Sequence, residues 1–286
     1  SKVKDPAIQM YLNTTSVHFG NFSADGVIAE VSNWEKTSDK IIALRAWTSK
    51  NRNNQEASKV IDYALDLILK TTTYTANAKV YFMLALPLPS NSDIDFVRRI
   101  ISKLDGLKGP IEQSGPTTEY IKLQTVLAEA ESKFNRQSSF YRCQDIYYYI
   151  DKMTDLSTKI ACFSVFASAL TRIDPEQNFS IQGPLFELAI DSLQTAVGQI
   201  LAKTASHFEA IKPALPILSI TQPHLAFDVI SRLNTTKRKD KALSEMILAI
   251  SSEAPSLSHM EIISDCFNKI HCESVRCYAI KMTILN

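Results

Sequence analysis

Glycine is scarce in this sequence, with only seven among 286 residues, about a third of its usual share of roughly 7%. Nucleotide-binding folds that alternate strands and helices need glycines in tight turns and where the backbone approaches a phosphate. The sequence also lacks a GxxxxGK[ST] phosphate-binding loop, an HExxH zinc motif and a GxSxG nucleophile motif. These absences argue against an α/β enzyme and favour an all-α chain, for which we expect no catalytic residues and no cofactor.

The sequence also has no large excess of one charge, no dense set of cysteines and no long apolar run. The 31 basic and 30 acidic residues leave a net charge of +1, whereas a dedicated nucleic-acid binder usually carries a basic stripe. Five cysteines are an odd number and too sparse for a disulfide scaffold. No segment approaches the run of about 18 apolar residues that crosses a membrane, and no signal peptide precedes the first predicted helix. We therefore expect reduced thiols and a cytoplasmic protein.

One cluster has metal-ligand residue types: Cys266, His271, Cys272 and Cys277. Zinc sites use short pairs such as C-x₂-C that close into a tetrahedron, and this spacing is irregular. We expect no metal here and interpret the cysteines as buried structural thiols.

A short pattern recurs along the chain. An anchor residue, Lys or Arg, has apolar residues nine and six positions before it and a small residue three positions after it. The four clearest copies are Val31/Trp34/Lys40/Ala43, Ile150/Met153/Lys159/Cys162, Ile230/Leu233/Lys239/Ala242 and Phe267/Ile270/Arg276/Ala279. Each copy predicts the end of one helix, a turn and a second helix that folds back. We expect the small residue at a close helix crossing and the anchor residue in solvent, with its stem over apolar neighbours.

Weaker copies at Lys79 and Lys122 give anchor spacings of 39, 43, 37, 80 and 37 residues. The spacing of 80 residues corresponds to two periods. Predicted helices over Leu185–Ala202 and His207–Ile220 occupy this interval. A period near 39 lies close to the range of HEAT-type helix pairs. The sequence therefore predicts an all-α fold: an N-terminal helix and connection over 1–23, then a right-handed α-solenoid of about seven antiparallel helix pairs over 24–286.

Proline and glycine mark the irregular parts of this array. Pro213 and Pro216 each remove a backbone donor, so the helix over His207–Ile220 should bend. The connections Gly106–Pro116 and Arg172–Pro184 are long for helix pairs and should be the most mobile internal segments. The last predicted helix, Glu273–Leu285, carries more apolar residues than one buried stripe needs. We therefore expect the chain to be a piece of a longer array, or this side of the helix to bind a second copy.

The segment 140–150, FYRCQDIYYYI, suggests a binding surface. A helix through it would turn four residues toward the core: Cys143, Ile146, Tyr149 and Ile150. The opposite side would then present Tyr141, Asp145, Tyr148 and Lys152, which we call the tyrosine face. Tyrosine and charged residues together are typical of partner-binding hot spots, although the rings could instead cover a neighbouring helix pair.

A basic turn follows the third copy of the pattern. Lys237 and Arg238 are candidate partner contacts, and Asp240 interrupts the run of positive charge. The main hypothesis is a protein-recognition module that holds a protein or peptide on a concave face. The alternatives are a helical-repeat nucleic-acid binder with a continuous basic stripe, an enzyme with a deep polar pocket, and a structural scaffold.

The frame in Ile230–Ala242 and Phe267–Ala279 resembles the degenerate tetratricopeptide-like and HEAT-like arrays of bacterial signal-transduction NTPases, including antiviral sensors related to NLR immune receptors. The resemblance covers most of the chain, Ala24 to Leu285. It implies a sensor array that recognises a partner, with an NTPase domain elsewhere in the parent protein. It assigns no functional residue to this chain.

Overall fold

A computed structural model shows a helical protein. It describes residues 15–17, 20–51, 56–86, 94–107, 109–111, 117–173, 183–203, 208–233, 235–252 and 257–285. Every regular element within these ranges is a helix, which confirms the all-α prediction. Most of the predicted N-terminal helix lies outside the described residues, as do residues 108 and 112–116 of the first long connection and 174–182 of the second. The predicted mobility of these connections stays a prediction.

The chain divides into two compact units, 1–136 and 137–286. The first contains six helices of known bounds: α1 Ala24–Ser32, α2 Thr37–Lys50, α3 Ala57–Lys70, α4 Ala76–Ala85, α5 Ile94–Asp105 and α6 Thr118–Ser132. Here α2 packs against α1 and α3, and α6 packs against α4 and α5. The largest side chains of its core are Trp47, Phe96 and Tyr120, each at most 1% exposed.

The second unit begins with α7. Its helices are α7 Arg136–Asp151, α8 Leu156–Ile173, α9 Gly183–Lys203, α10 Phe208–Ile211, α11 Leu215–Thr221, α12 Pro223–Ser231, α13 Thr236–Ser252, α14 Leu257–Lys269 and α15 Glu273–Leu285. The contacts again follow chain order, since α8 packs on α9 and α13 packs on α14 and α15. A 3₁₀ turn, Lys212–Ala214, separates α10 from α11, so the α-helix is interrupted at Pro213, where a bend is predicted.

Within each unit, polar side chains join the first helices of neighbouring pairs. The contacts are Asp25 to Lys59 (2.5 Å), Asp62 to Arg99 (2.9 Å), Tyr147 Oη to Ser192 Oγ (3.1 Å) and Lys269 Nζ to the Phe227 ring centroid (4.4 Å). Lys103 also reaches Asp62 and Asp66, at 3.3 and 2.8 Å. The partners are 34 to 45 residues apart in sequence. Within the first unit these contacts join α1 to α3 and α3 to α5, and within the second they join α7 to α9 and α12 to α14.

Lys40, Lys79, Lys159 and Arg276 join the two helices of a pair, and all four are half-buried, so the prediction that they lie in solvent is only partly right. They donate to carbonyl oxygens at the end of the preceding helix: Lys40 Nζ to Ser32 O (2.8 Å), Lys79 Nζ to Leu69 O (2.7 Å), Lys159 Nζ to Asp151 O (2.6 Å) and Arg276 Nε to Ile270 O (3.2 Å). The last carbonyls of a helix have no partner within it and carry partial negative charge. The charged group of the anchor residue on the next helix donates a hydrogen bond to such a carbonyl and balances its partial negative charge.

The backbone shows that these positions are equivalent. The N–H of each anchor residue makes the first i→i−4 hydrogen bond of its helix, as from Lys40 to Lys36 O and from Lys239 to Thr235 O. In α6 that bond comes from Ile121, which donates to Thr117 O, so the predicted copy at Lys122 is one residue out of register. The small residue of the pattern is fully buried at Ala43, Cys162, Ala242 and Ala279.

One helix, α8, is long and apolar enough to cross a membrane by length and composition, and no other helix in the described parts of the chain is. In α8, 44% of that stretch is buried within the protein. A core helix passes the same test, so this is weak evidence for a membrane span.

Candidate functional site

The tyrosine face is built on α7, which begins at Arg136, four residues before the predicted start. The core side of the helix fixes its orientation: Cys143, Ile146 and Ile150 are at most 1% exposed. Tyr147 adds two contacts, with its ring 5.7 Å from that of Phe163 on α8 and its hydroxyl on Ser192 of α9. Two neighbouring helices thus hold α7, so its opposite side is presented on a rigid element.

The four predicted residues of the tyrosine face lie together on that opposite side. Tyr141, Asp145, Tyr148 and Lys152 are all exposed, and they follow one another at steps of four, three and four residues. This is the spacing of one stripe along a helix. Tyr141 is 57% and Tyr148 55% exposed, so the rings do not cover a neighbouring helix pair. That alternative is wrong for these two tyrosines.

Side chains on and beside the tyrosine face contact one another. The ammonium of Lys152 lies 3.8 Å from the centroid of the Tyr148 ring and also contacts its hydroxyl. A cation over an aromatic face contributes about 0.5–1 kcal/mol at exposed sites. At the other end, the Gln137 amide donates to Tyr141 Oη at 3.2 Å. Each exposed tyrosine thus contacts a polar side chain four residues away on the same helix.

The predicted basic contacts, Lys237 and Arg238, lie in the first turn of α13 and not on α7. Lys237 is exposed and Arg238 is half-buried, with its backbone N–H donating to Thr235 Oγ1 at 3.3 Å. The six predicted site residues therefore occupy two different helices. Their role in binding stays a prediction.

Asp240 links two helices, a role that was not predicted from the sequence. Its carboxylate is almost fully buried and accepts the backbone N–H groups of His271 (3.0 Å) and Cys272 (2.7 Å) at the start of α15. Anions are stabilised at helix N-termini, so this carboxylate joins α13 to the next helix pair. A signal was present: the residue after the anchor is the apolar Ile41 or Ile160 in other copies.

The cysteines divide into two groups. Cys143, Cys162 and Cys266 are buried, as expected, and burial raises the pKa of the Cys266 thiol to about 12. Cys272 and Cys277 are exposed, so the expectation of buried thiols is wrong for these two. A hydrogen bond with the Ser274 side chain, aided by the backbone N–H of Val275, lowers the pKa of Cys272. Within the described ranges, no three His, Cys, Asp or Glu side chains are grouped to hold a metal ion.

Comparison with known proteins assigns no family to this arrangement. No protein-family model matches the chain, and no curated protein and no solved structure matches it at a significant level.

Proposed function

We propose that this chain is a protein-recognition module that binds a partner protein through the tyrosine face, without catalysis of its own. The exposed Tyr141 and Tyr148, on one side of α7 and each beside a polar side chain, are the observation that carries the proposal. Tyrosine gives large contact area and a hydroxyl at low conformational cost, and it is enriched among binding hot spots. Asp145 and Lys152 beside the rings add charges of both signs, which fits a protein surface better than a phosphate backbone.

The proposed architecture is a right-handed α-solenoid of about seven antiparallel helix pairs with a period near 39 residues. Within each unit, the polar contacts between first helices, such as Asp62 to Arg99 and Tyr147 to Ser192, support it. So does the identical capping role of Lys40 and Lys159. In such an array the first helices line a concave face that holds the partner, and α7 is a first helix.

The proposed setting is that of a cytoplasmic sensor. The array would recognise its partner passively and pass the signal to an NTPase domain in the same parent protein, as in the antiviral sensors that the repeat pattern resembles.

Site-specific photocrosslinking tests the proposal in cells of the source organism. A benzoylphenylalanine replaces Tyr148, and the matched control replaces Tyr81, which is 60% exposed on α4. We expect a discrete protein adduct from position 148 only, lost when Tyr141 and Lys152 are both changed to alanine. With the partner in hand, Tyr148→Ala should weaken binding about tenfold or more, because hot-spot residues contribute about 2 kcal/mol.

Other adducts would decide against this function. Crosslinking to RNA or DNA, with salt-sensitive retention that Lys237→Glu reduces, would establish nucleic-acid binding instead. Equal adducts from positions 148 and 81 would show nonspecific contact. If position 148 gave no adduct, the protein-recognition function would be rejected in favour of a structural scaffold.

A further inference from the structure

The first unit contains an apolar cavity that has no part in the tyrosine face. It has a volume of about 110 Å³ and lies between four consecutive helices, α3 to α6. Its walls include Ile61 and Leu65 of α3, Met83 of α4, Ile100 of α5, and Leu123 and Val126 of α6. All but Val126 are at most 4% exposed, and Val126 is 38% exposed. Leu84 of α4 also lines the cavity and is half-buried, so the cavity has a buried interior and its most exposed walls are Val126 and Leu84.

The lengths of the surrounding helices explain the empty space. Helix α4 has 10 residues, whereas α3 has 14 and α6 has 15. At 1.5 Å per residue, α4 is shorter than these neighbours by roughly 6 Å. The cavity is at the end of α4, where Met83, Leu84 and Leu86 line it. Within the described residues, the layer that α4 forms thus stops before its neighbours do, beside the apolar side chains that line the cavity.

The lining decides what such a space can hold. Among the described residues, every side chain that lines it is a hydrocarbon or, at Met83, a thioether. A water molecule needs two to four polar partners to be stable in a cavity, and apolar cavities of about 150 Å³ stay dry and bind benzene or xenon. The cavity is only somewhat smaller, and unfilled space leaves its walls without dispersion contacts.

We propose that this cavity is a binding site for a compact, uncharged apolar molecule, with about the bulk of a benzene ring, that enters beside Val126. The site offers burial and dispersion contacts and no directional hydrogen bond from its side chains. It therefore selects by size and apolarity, and a charged or strongly polar ligand of the same volume is rejected because its hydration would be lost without compensation.

Methionine methyl NMR with benzene as the probe tests the site. The chain has six methionines, and Met83→Leu assigns the Met83 signal. We expect benzene to shift the Met83 signal in a saturable way through its ring current. Met246 is fully buried in the second unit, and its signal should not move. Phenol at the same concentrations should give a weaker response, since its hydroxyl would lose water on entry.

Two variants make the test specific. Val126→Trp places bulk at one of the exposed walls and should weaken benzene binding about tenfold or more, which corresponds to about 1.4 kcal/mol. Ile42→Trp is the matched control, because Ile42 is also 38% exposed and lies on α2 outside the cavity lining. Val126→Phe replaces the tryptophan variant if circular dichroism shows that the latter does not fold. An unmoved Met83 signal, equal binding by both variants, or parallel shifts of Met83 and Met246 would each overturn the proposal.

Discussion

Replacing the anchor residue Lys159 by methionine is a direct test of how a helix pair is held together. Lys159 Nζ donates to the backbone oxygen of Asp151 at 2.6 Å and to its carboxylate at 3.0 Å, and the lysine side chain is only 17% exposed. Methionine keeps most of the apolar stem and removes the charge and the donor. The variant therefore isolates the polar contact from the packing of the stem.

The expected loss follows from the two interactions that disappear. A hydrogen bond to a charged group contributes about 1.5–3 kcal/mol, and a cation at a helix C-terminus about 0.3–1 kcal/mol at exposed sites. Solvent reaches part of this site, because the Asp151 side chain is 55% exposed. We expect Lys159→Met to reduce the free energy of unfolding by about 1–2 kcal/mol, measured by urea denaturation followed at the helical circular dichroism signal.

Two further variants separate the carbonyl contact from the ion pair. Asp151→Asn removes the carboxylate charge and keeps the backbone carbonyl. It should lower the free energy of unfolding by at most about 0.5–1 kcal/mol, which is the usual contribution of an exposed ion pair. Lys241→Met on α13 removes an exposed lysine and should change little. If Lys159→Met were no more destabilising than Lys241→Met, the anchor residue would have no capping role and the explanation of the pattern would fail.

Three more predictions follow from buried and exposed positions of the second unit. Ala242→Lys should destabilise the protein by about 3–5 kcal/mol in the same denaturation assay, since it places an unpaired charge at a fully buried position. Cys272 should react with iodoacetamide well before Cys266 and should keep reacting at lower pH than free cysteine, because its lowered pKa preserves thiolate; equal labelling of the two by mass spectrometry would contradict this. Ile280 is 40% exposed on α15, so sedimentation should reveal self-association that Ile280→Glu abolishes, and a strictly monomeric parent would refute the expected contact.

Helix positions were predictable from sequence wherever apolar spacing and helix breakers agree. The bounds of α15, Glu273–Leu285, coincide with the predicted ones, and α9, Gly183–Lys203, extends the predicted Leu185–Ala202 by two residues at its start and one at its end. The start of α7 was missed because residues 136–139 are all polar, and a polar first turn has no apolar periodicity to mark it. The exposed stripe of Tyr141 and Tyr148 was predictable, since fixing the buried residues of a helix fixes the opposite side.

Features that depend on two or more elements were not predictable. The carbonyl that an anchor residue reaches cannot be identified before the turn geometry is known, because a backbone oxygen leaves no mark in the sequence. Asp240 looked like an interruption of a basic turn until α15 placed its N–H groups against the carboxylate. The cavity depends on the relative lengths of four packed helices, and single-segment patterns carry no information on such differences.

The use of a backbone oxygen as the acceptor has a consequence for engineering. The residues that supply it are as different as Ser32, Leu69, Asp151 and Ile270, so the lysine or arginine makes no demand on the side chain it reaches. A hairpin from this protein should therefore be portable: the turn and the basic residue can move together into another helical array without a matching partner residue. The exposed side chains of such a hairpin can then be varied separately from the contact that joins its two helices.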